Sequence, residues 1–237
     1  MYLKETFEEC FGESLNVFLA KFEKNDRTLQ KQLMTRIQPC SDETIKSLYL
    51  TDEYASMMLR YTIDSPLSHY IDEINFRMTL NVSRSSSVLE YGVGLGLDTL
   101  DLYDLGYKNL SIADLPNKLF EMIKFYNKKM GMSIKTIEIP LKGMPKLEEY
   151  DYIICKEVLE HCWDPVETLT FLVSHLKKGG FLYLATFFND LNGECPIHLK
   201  HLNKYQDTNL WFNEVRKLGL QDYLKDKNGI LKVWRKI

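Results

Sequence analysis

Val88-Leu-Glu-Tyr-Gly-Val-Gly-Leu-Gly96 passes within a few residues from an apolar run to three glycines at alternate positions. A short apolar run reads as a buried strand, and glycines so placed let the backbone turn tightly and approach a ligand where a Cβ would clash. A helical pattern follows at 97–105. The alternation then repeats, with apolar runs at 110–113, 134–139, 150–155 and 181–186, and amphipathic stretches at 117–130, 165–176 and 204–218. Strands alternating with helices build a parallel sheet covered by helices on both faces. Lys177-Lys-Gly-Gly180 is expected to close the helix 165–176 ahead of the next strand. The last two strands, 221–225 and 230–235, flank Asp226-Lys-Asn-Gly229, and an Asn-Gly pair predicts a hairpin whose final strand runs antiparallel.

Upstream of this region the texture changes. Residues 1–81 mix charged and apolar residues at helical spacing, which predicts helices at 4–24, 27–37, 41–50, 52–62 and 67–80. Asp26, Ser41 and Thr51 sit where helix caps are expected. Arg84-Ser-Ser-Ser87 punctuates the change. The organisation is therefore a helical N-terminal cap over 1–83 and an α/β domain over 84–237, packed as one unit.

With 45% apolar and 12% aromatic residues the chain can fill a core, which excludes disorder as its main theme. A formal charge of −3 and a pI of about 6.0 argue against nonspecific nucleic-acid binding, which draws on a basic surplus. The apolar stretch 181–188 is far shorter than the ~20 residues that span a bilayer, and the acidic start MYLKETFEEC carries no apolar signal core. Cys10, Cys40, Cys155, Cys162 and Cys195 form no CxxC pair and read as free thiols of a reducing compartment. The expectation is a cytoplasmic protein with no membrane span.

The spacing of Gly92, Gly94 and Gly96 is G-x-G-x-G, which departs from the dinucleotide fingerprint G-x-G-x-x-G. Glu90 would repel a pyrophosphate and suits a cationic ligand such as the ammonium and sulfonium of S-adenosylmethionine. Asp114 ends the second strand, where an acid can accept both ribose hydroxyls of an adenosine; as an alternative it caps the following helix. Together with Tyr150-Asp-Tyr-Ile-Ile-Cys-Lys-Glu157-Val-Leu-Glu160-His161 and Leu176-Lys-Lys-Gly-Gly180, these residues resemble the class I S-adenosylmethionine-dependent methyltransferases, and the resemblance covers about 88–235. It implies a Rossmann-like, seven-stranded, mostly parallel sheet whose last strand is antiparallel. It also implies that the glycine loop holds the methionine part of the cofactor, Asp114 the ribose and Leu115 the side of the adenine. Lys156 and Tyr61 join Glu90 and the glycines as cofactor candidates. The chain departs from the family at Tyr91, often a small or aliphatic position. It also departs at Ile137-Glu-Ile-Pro140, which lacks the usual adenine-contacting Asp and offers Glu138 in its place.

Glu157, Glu160 and His161 lie at i, i+3 and i+4, so on a helical turn they share one face. Three readings stand side by side. His161 is a general base for the acceptor's proton; or the three residues hold a divalent metal, with His198 as a further ligand; or the string is structural. The Glu-x-x-Glu-His arrangement is similar to the motif of metal-assisted O-methyltransferases, including small-RNA 2′-O-methylating and quinone O-methylating groups. The resemblance implies an acceptor side built from the cap and the polar loop 187–205, with Tyr54, Asn189, His198 and His201 as substrate candidates and Arg60 and Tyr61 as candidates for closing over the cofactor. The resulting expectation is methyl transfer to a hydroxyl of a small metabolite, a sugar or nucleotide-sugar ahead of a quinone or phenol. C- or N-methylation is the second enzymatic alternative, and a noncatalytic partner subunit the alternative of another class. A small-molecule substrate is expected, nucleic acid is disfavoured, and a homodimer through the cap is compatible with the sequence.

Overall fold

In the computed structural model, which describes residues 2–22, 25–64, 82–188, 197–225 and 232–237, seven strands form one sheet. They are β1 (Ser87–Tyr91), β2 (Asn109–Asp114), β3 (Lys135–Glu138), β4 (Tyr150–Lys156), β5 (Leu176–Ala185), β6 (Leu220–Lys225) and β7 (Lys232–Lys236), in the order β3-β2-β1-β4-β5-β7-β6. The first five pair in parallel, and β7 runs antiparallel to both β5 and β6. The strand order reverses beside β1, and ligands of open α/β sheets bind at the carboxyl ends of the strands near such a reversal.

Strands buried on both faces send alternate side chains to opposite cores. Leu89, Tyr91, Ile153, Cys155, Leu182 and Leu184 point to one core cluster, whereas Val88, Tyr152, Ile154 and Tyr183 point to the other. The first is covered by α8 (Pro165–Ser174) and α9 (Thr208–Lys217), the second by α6 (Leu97–Asp104) and α7 (Lys118–Lys129). The N-terminal helices are α1 (Tyr2–Phe11), α2 (Leu15–Ala20), α3 (Asp26–Ile37), α4 (Asp42–Tyr49) and α5 (Asp52–Asp64). Leu29, Leu33, Ile45, Leu48, Tyr49 and Met57 of these helices belong to the same cluster as Tyr91, Leu115 and Leu159. The helical region therefore sits over the carboxyl ends of the strands and shares their core.

Local chemistry explains where the elements stop. The stretch 4–24, expected as one helix, breaks at Gly12, whose φ of 65° is left-handed and whose N–H donates to Glu8 O at 2.9 Å. Asn25, not Asp26, caps α3, accepting from Thr28 N at 2.9 Å, and Ser41 caps α4 in a capping box with Thr44. The stretch 204–218 divides into a 3₁₀ turn, Lys200–Gln206, and α9, because the Asp207 side chain caps the helix by accepting from Asn209 N.

Lys177-Lys-Gly-Gly180 does not end a helix. The helix stops at Ser174, and these residues form an irregular start to β5, where pairing with β4 slips between Tyr150 and Tyr152. Gly179 takes φ 78°, and a Cβ on Gly180 would come within 2.8 Å of the Asp151 carbonyl oxygen. The glycines serve a strand irregularity. The expected helix 67–80 and the turn 226–229 lie outside the described residues. Among the described residues no helix is long and apolar enough to cross a membrane.

Candidate active site

Where β1 ends, the chain turns through Gly92, Gly94 and Gly96 at φ 73°, 53° and 71°, a left-handed region that other residues enter at a cost. Gly92 is also fixed sterically, since a Cβ there would clash with Val158 Cγ2. The loop holds itself together through its own amides. Gly92 N donates to Ala113 O at 2.8 Å, Gly96 N to Val93 O at 2.8 Å, and Gly94 N to Asp114 Oδ2 at 2.8 Å. Asp114 Oδ1 accepts from Leu115 N at 2.7 Å. Asn117 caps α7 by accepting from Phe120 N, so the capping alternative for Asp114 does not hold. Burial pushes the Asp114 carboxyl up to about 6, against the pull of the two N–H groups. Glu90 is buried and accepts a hydrogen bond from the Thr99 hydroxyl.

These residues line one end of a cavity of about 440 Å³, which also takes in Leu115, Lys156, Glu157, Tyr54 and Tyr61. Tyr61 is 61% exposed and stands at the rim. Arg60 does not close over the site; it donates to the carbonyls of Leu19 and Phe22, tying α5 to the end of α2. Glu138 is likewise outside the cavity lining, paired with Lys124 at 2.9 Å on the surface.

The segment after β4 departs from the regular turn that the spacing predicts. Glu157 has φ 53°, uncommon for a side-chain-bearing residue, with its N–H donating to Ala185 O. Only then does a 3₁₀ turn, Leu159–His161, begin. The three residues therefore do not share one helical face. Glu157 is exposed at the cavity wall, while Glu160 is fully buried. A set of potential ligand atoms from Glu160, His161 and His198 lies within 4.8 Å of one another, and Glu157 is not among them. Glu160 Oε1 accepts from Phe187 N at 3.2 Å, whereas Oε2 has no hydrogen-bond partner. Burial, and next the Glu157 carboxylate, hold the Glu160 carboxyl well above the usual range. His161 stacks edge-on to His198 with ring centroids 4.9 Å apart and to Tyr49 at 5.6 Å, and its Nδ1 has no partner.

Burial and the neighbouring His198 push His161 down to about 3, while a hydrogen bond to the Ile197 backbone opposes this. The ring is neutral, with a lone pair suited to ligating a cation. On its own it accepts protons poorly, because a general base works best with a pKa near the operating pH. Two buried polar atoms without partners, Glu160 Oε2 and His161 Nδ1, beside the second imidazole, that of His198, fit a divalent cation of nitrogen and oxygen preference.

His201 is not part of this site: its Nε2 meets Trp163 O at 2.8 Å, and its ring packs on Trp163 at the surface. Asn189 lies outside the described residues. Sequence reasoning missed Tyr49, Asp98 and Lys46, all of which line the cavity. Tyr49 is 8% exposed, and its hydroxyl has no hydrogen-bond partner. Lys46 reaches from α4 to Pro140 O and Gly143 O at 3.1 and 2.9 Å, pinning the cap to the segment after β3. Asp98 follows the glycines in the first turn of α6, a position at which its acidity was the available signal.

A seven-stranded sheet of this order, with a glycine turn after β1 and an acid ending β2, is the class I S-adenosylmethionine-dependent methyltransferase fold. The chain belongs to the methyltransferase-domain family, whose model matches residues 60–234. It is similar to a ubiquinone biosynthesis O-methyltransferase of Rickettsia conorii, 27% identical over 133 residues that make up 56% of this chain and 46% of that one. The chain thus spans about half the length of the curated relatives it matches. A SAM-dependent methyltransferase from Aquifex aeolicus superposes with a TM-score of 0.58 at 13% identity, covering 76% of this chain and 97% of that one. The N-methyltransferase NodS from Bradyrhizobium japonicum, solved with S-adenosyl-L-homocysteine, gives 0.50 at 18% identity over 73% and 89% of the two chains. At these identities the two structures speak for the fold alone.

Proposed function

We propose that the protein transfers the methyl group of S-adenosylmethionine to a hydroxyl oxygen of a small aromatic acceptor of the phenol or quinol class. The observation that carries this reading is the wall of the cavity beyond the glycine loop: Tyr49, Tyr54, Met57, Met58 and Tyr61 lead to His161. Aromatic and thioether side chains make a slot for a flat ring, and polar groups at one end orient it. The similarity to ubiquinone biosynthesis O-methyltransferases agrees with such an acceptor. The preference for a sugar rested on the polar character of 187–205. Phe188, Ile197, Leu199 and Leu202 of that stretch are instead buried in the core, and 189–196 lie outside the described residues.

In this reading the glycine loop and Asp114 position the nucleoside of the cofactor, with Asp114 accepting from the ribose hydroxyls. The acceptor oxygen attacks the methyl carbon, the carbon–sulfur bond breaks, and neutral S-adenosylhomocysteine leaves. Alignment of oxygen, methyl and sulfur supplies much of the acceleration. The hydroxyl must also lose its proton, and this is the task of the His161 end of the cavity. Glu160, His161 and His198 would hold a divalent cation there, which when bound would lower the pKa of an acceptor hydroxyl so that its proton passes to solvent before methyl transfer. Tyr49 and Tyr54, both held above the usual phenol range chiefly by burial, stay protonated and act as packing and donor groups around the acceptor ring.

Calorimetry with S-adenosylhomocysteine, followed by methyl-transfer assays on a catechol and on a nucleotide-sugar with and without chelator, tests the proposal. The expected outcome is one cofactor site per chain and methylation of the catechol oxygen that chelator suppresses and added divalent metal restores. Methylation confined to the nucleotide-sugar, or to a carbon of the ring, would overturn the acceptor class; indifference to chelator would remove the cation.

A further inference from the structure

S-adenosylmethionine carries three charges: a sulfonium, an ammonium and a carboxylate. An acid-rich cavity serves the first two. Glu90, Asp98, Asp114 and Glu157 all line the part of the wall built from the sheet and α6. The carboxylate needs N–H donors or a cation, and a glycine loop at a helix N-terminus is the usual place to look. Here the amides of that loop's three glycines are committed within the protein. Those of Gly92 and Gly96 go to carbonyls of Ala113 and Val93, and that of Gly94 goes to Asp114.

Two of the described cavity residues are lysines. Lys46 is on the cap side, held by Asp42 at 2.7 Å and by two carbonyls. Lys156 ends β4 beside the glycine loop, and its Nζ lies 2.8 Å from Asp98 Oδ2. Asp98 is 2% exposed and sits in the first turn of α6, where the helix dipole favours a carboxylate. A lysine held this way has its ammonium fixed at the cavity wall. Charges taken out of water carry a desolvation cost, and an apolar pair of similar volume commonly stabilises a fold as well or better. Stability alone therefore gives little reason for an ion pair at this position, whereas recognition of a ligand charge does.

We infer that Lys156, positioned by Asp98, is the counter-charge for the carboxylate of the cofactor's amino-acid end. This inference rests on the reading of the cavity as an S-adenosylmethionine site and assigns within it the group that distinguishes the whole cofactor from its nucleoside. Asp98 acts through Lys156 and is a positioning residue; Lys156 is a binding residue.

The test compares two ligands on two proteins. S-adenosylhomocysteine carries the carboxylate, and 5′-methylthioadenosine lacks the entire amino-acid end. Lys156→Met is expected to weaken the former by roughly tenfold to a hundredfold, the range for losing a hydrogen bond to a charged group. It should leave methylthioadenosine within twofold, which also reports that the variant is folded. A cut on the ligand side gives the same answer without a substitution. Decarboxylated S-adenosylhomocysteine should lose the same factor on the unaltered protein and nothing further on Lys156→Met. Equal affinity of the unaltered protein for the two forms, or parallel loss of both nucleosides in the variant, would overturn the inference. Failure of the unaltered protein to bind any of these ligands would instead bring down the cofactor reading beneath it.

Discussion

The two ends of the cavity differ in how their polar atoms are satisfied. At the glycine-loop end most of the groups answer one another: amides of the loop meet carbonyls and Asp114, Thr99 meets Glu90, and the Lys156 ammonium is ion-paired with Asp98. At the other end Glu160 Oε2, His161 Nδ1 and the Tyr49 hydroxyl are buried without hydrogen-bond partners. Buried polar atoms are nearly always paired in folded proteins, so a cluster of exceptions marks where something from outside belongs. One end is finished by folding and receives a ligand of fixed shape. The other is completed by what binds, which is where chemistry rather than recognition is expected.

If the ends are separable in this way, substitutions should sort accordingly. The largest effect belongs to His161→Ala, which removes a ligand of the proposed cation and should lower kcat for oxygen methylation by about 10²-fold or more, in keeping with the several kcal/mol such a cation supplies. S-adenosylhomocysteine affinity, measured by calorimetry, should stay within twofold. A parallel collapse of that affinity would show the two ends to be one unit.

The next effect is one of pH. Asp114 is pushed up to about 6, so it is ionised at pH 7 and mostly protonated at pH 5. Its carboxylate is the form that accepts from two hydroxyls, so cofactor affinity should fall as pH falls, by about tenfold between pH 7 and pH 5. Asp114→Asn should bind more weakly at pH 7 and show a flat profile. An affinity that rises toward acid would contradict the role given to Asp114.

The smallest effect sharpens the contrast most. A hydroxyl buried without a partner gives little to the fold, so Tyr49→Phe should leave the unfolding free energy within about 0.5 kcal/mol, or raise it. Urea denaturation decides this, and a loss above about 2 kcal/mol would show that the hydroxyl is already satisfied.

The finished end was also the more legible from sequence. Strand alternation, the G-x-G-x-G turn and the acid at 114 are local signals, because each is written within one strand and its following turn. The reading failed where distant segments meet. That Glu157 leaves the turn in a left-handed conformation while Glu160 turns inward goes with hydrogen bonds to the distant chain at the end of β5, from Glu157 N to Ala185 O and from Phe187 N to Glu160 Oε1, which spacing does not reveal. Tyr49 on α4 reaches His161 across more than a hundred residues, and in sequence it is one more aromatic of an amphipathic helix. His198 and His201 look equivalent as a pair, yet one adjoins the half-buried ring of His161 and the other stacks on Trp163. Lysines and glycines at 177–180 imitate a helix stop because the same residues that end helices also tolerate a strand bulge.

The bonds from Asp114 to the amides of Gly94 and Leu115 have one more consequence. They tie the glycine turn to the neighbouring strand in the protein's own folded state, so the turn loses its conformational entropy when the chain folds. A ligand arriving there has no backbone left to order, and more of its contact energy survives as affinity. Discrimination at the glycine turn itself therefore rests on fit to a backbone that folding has already ordered.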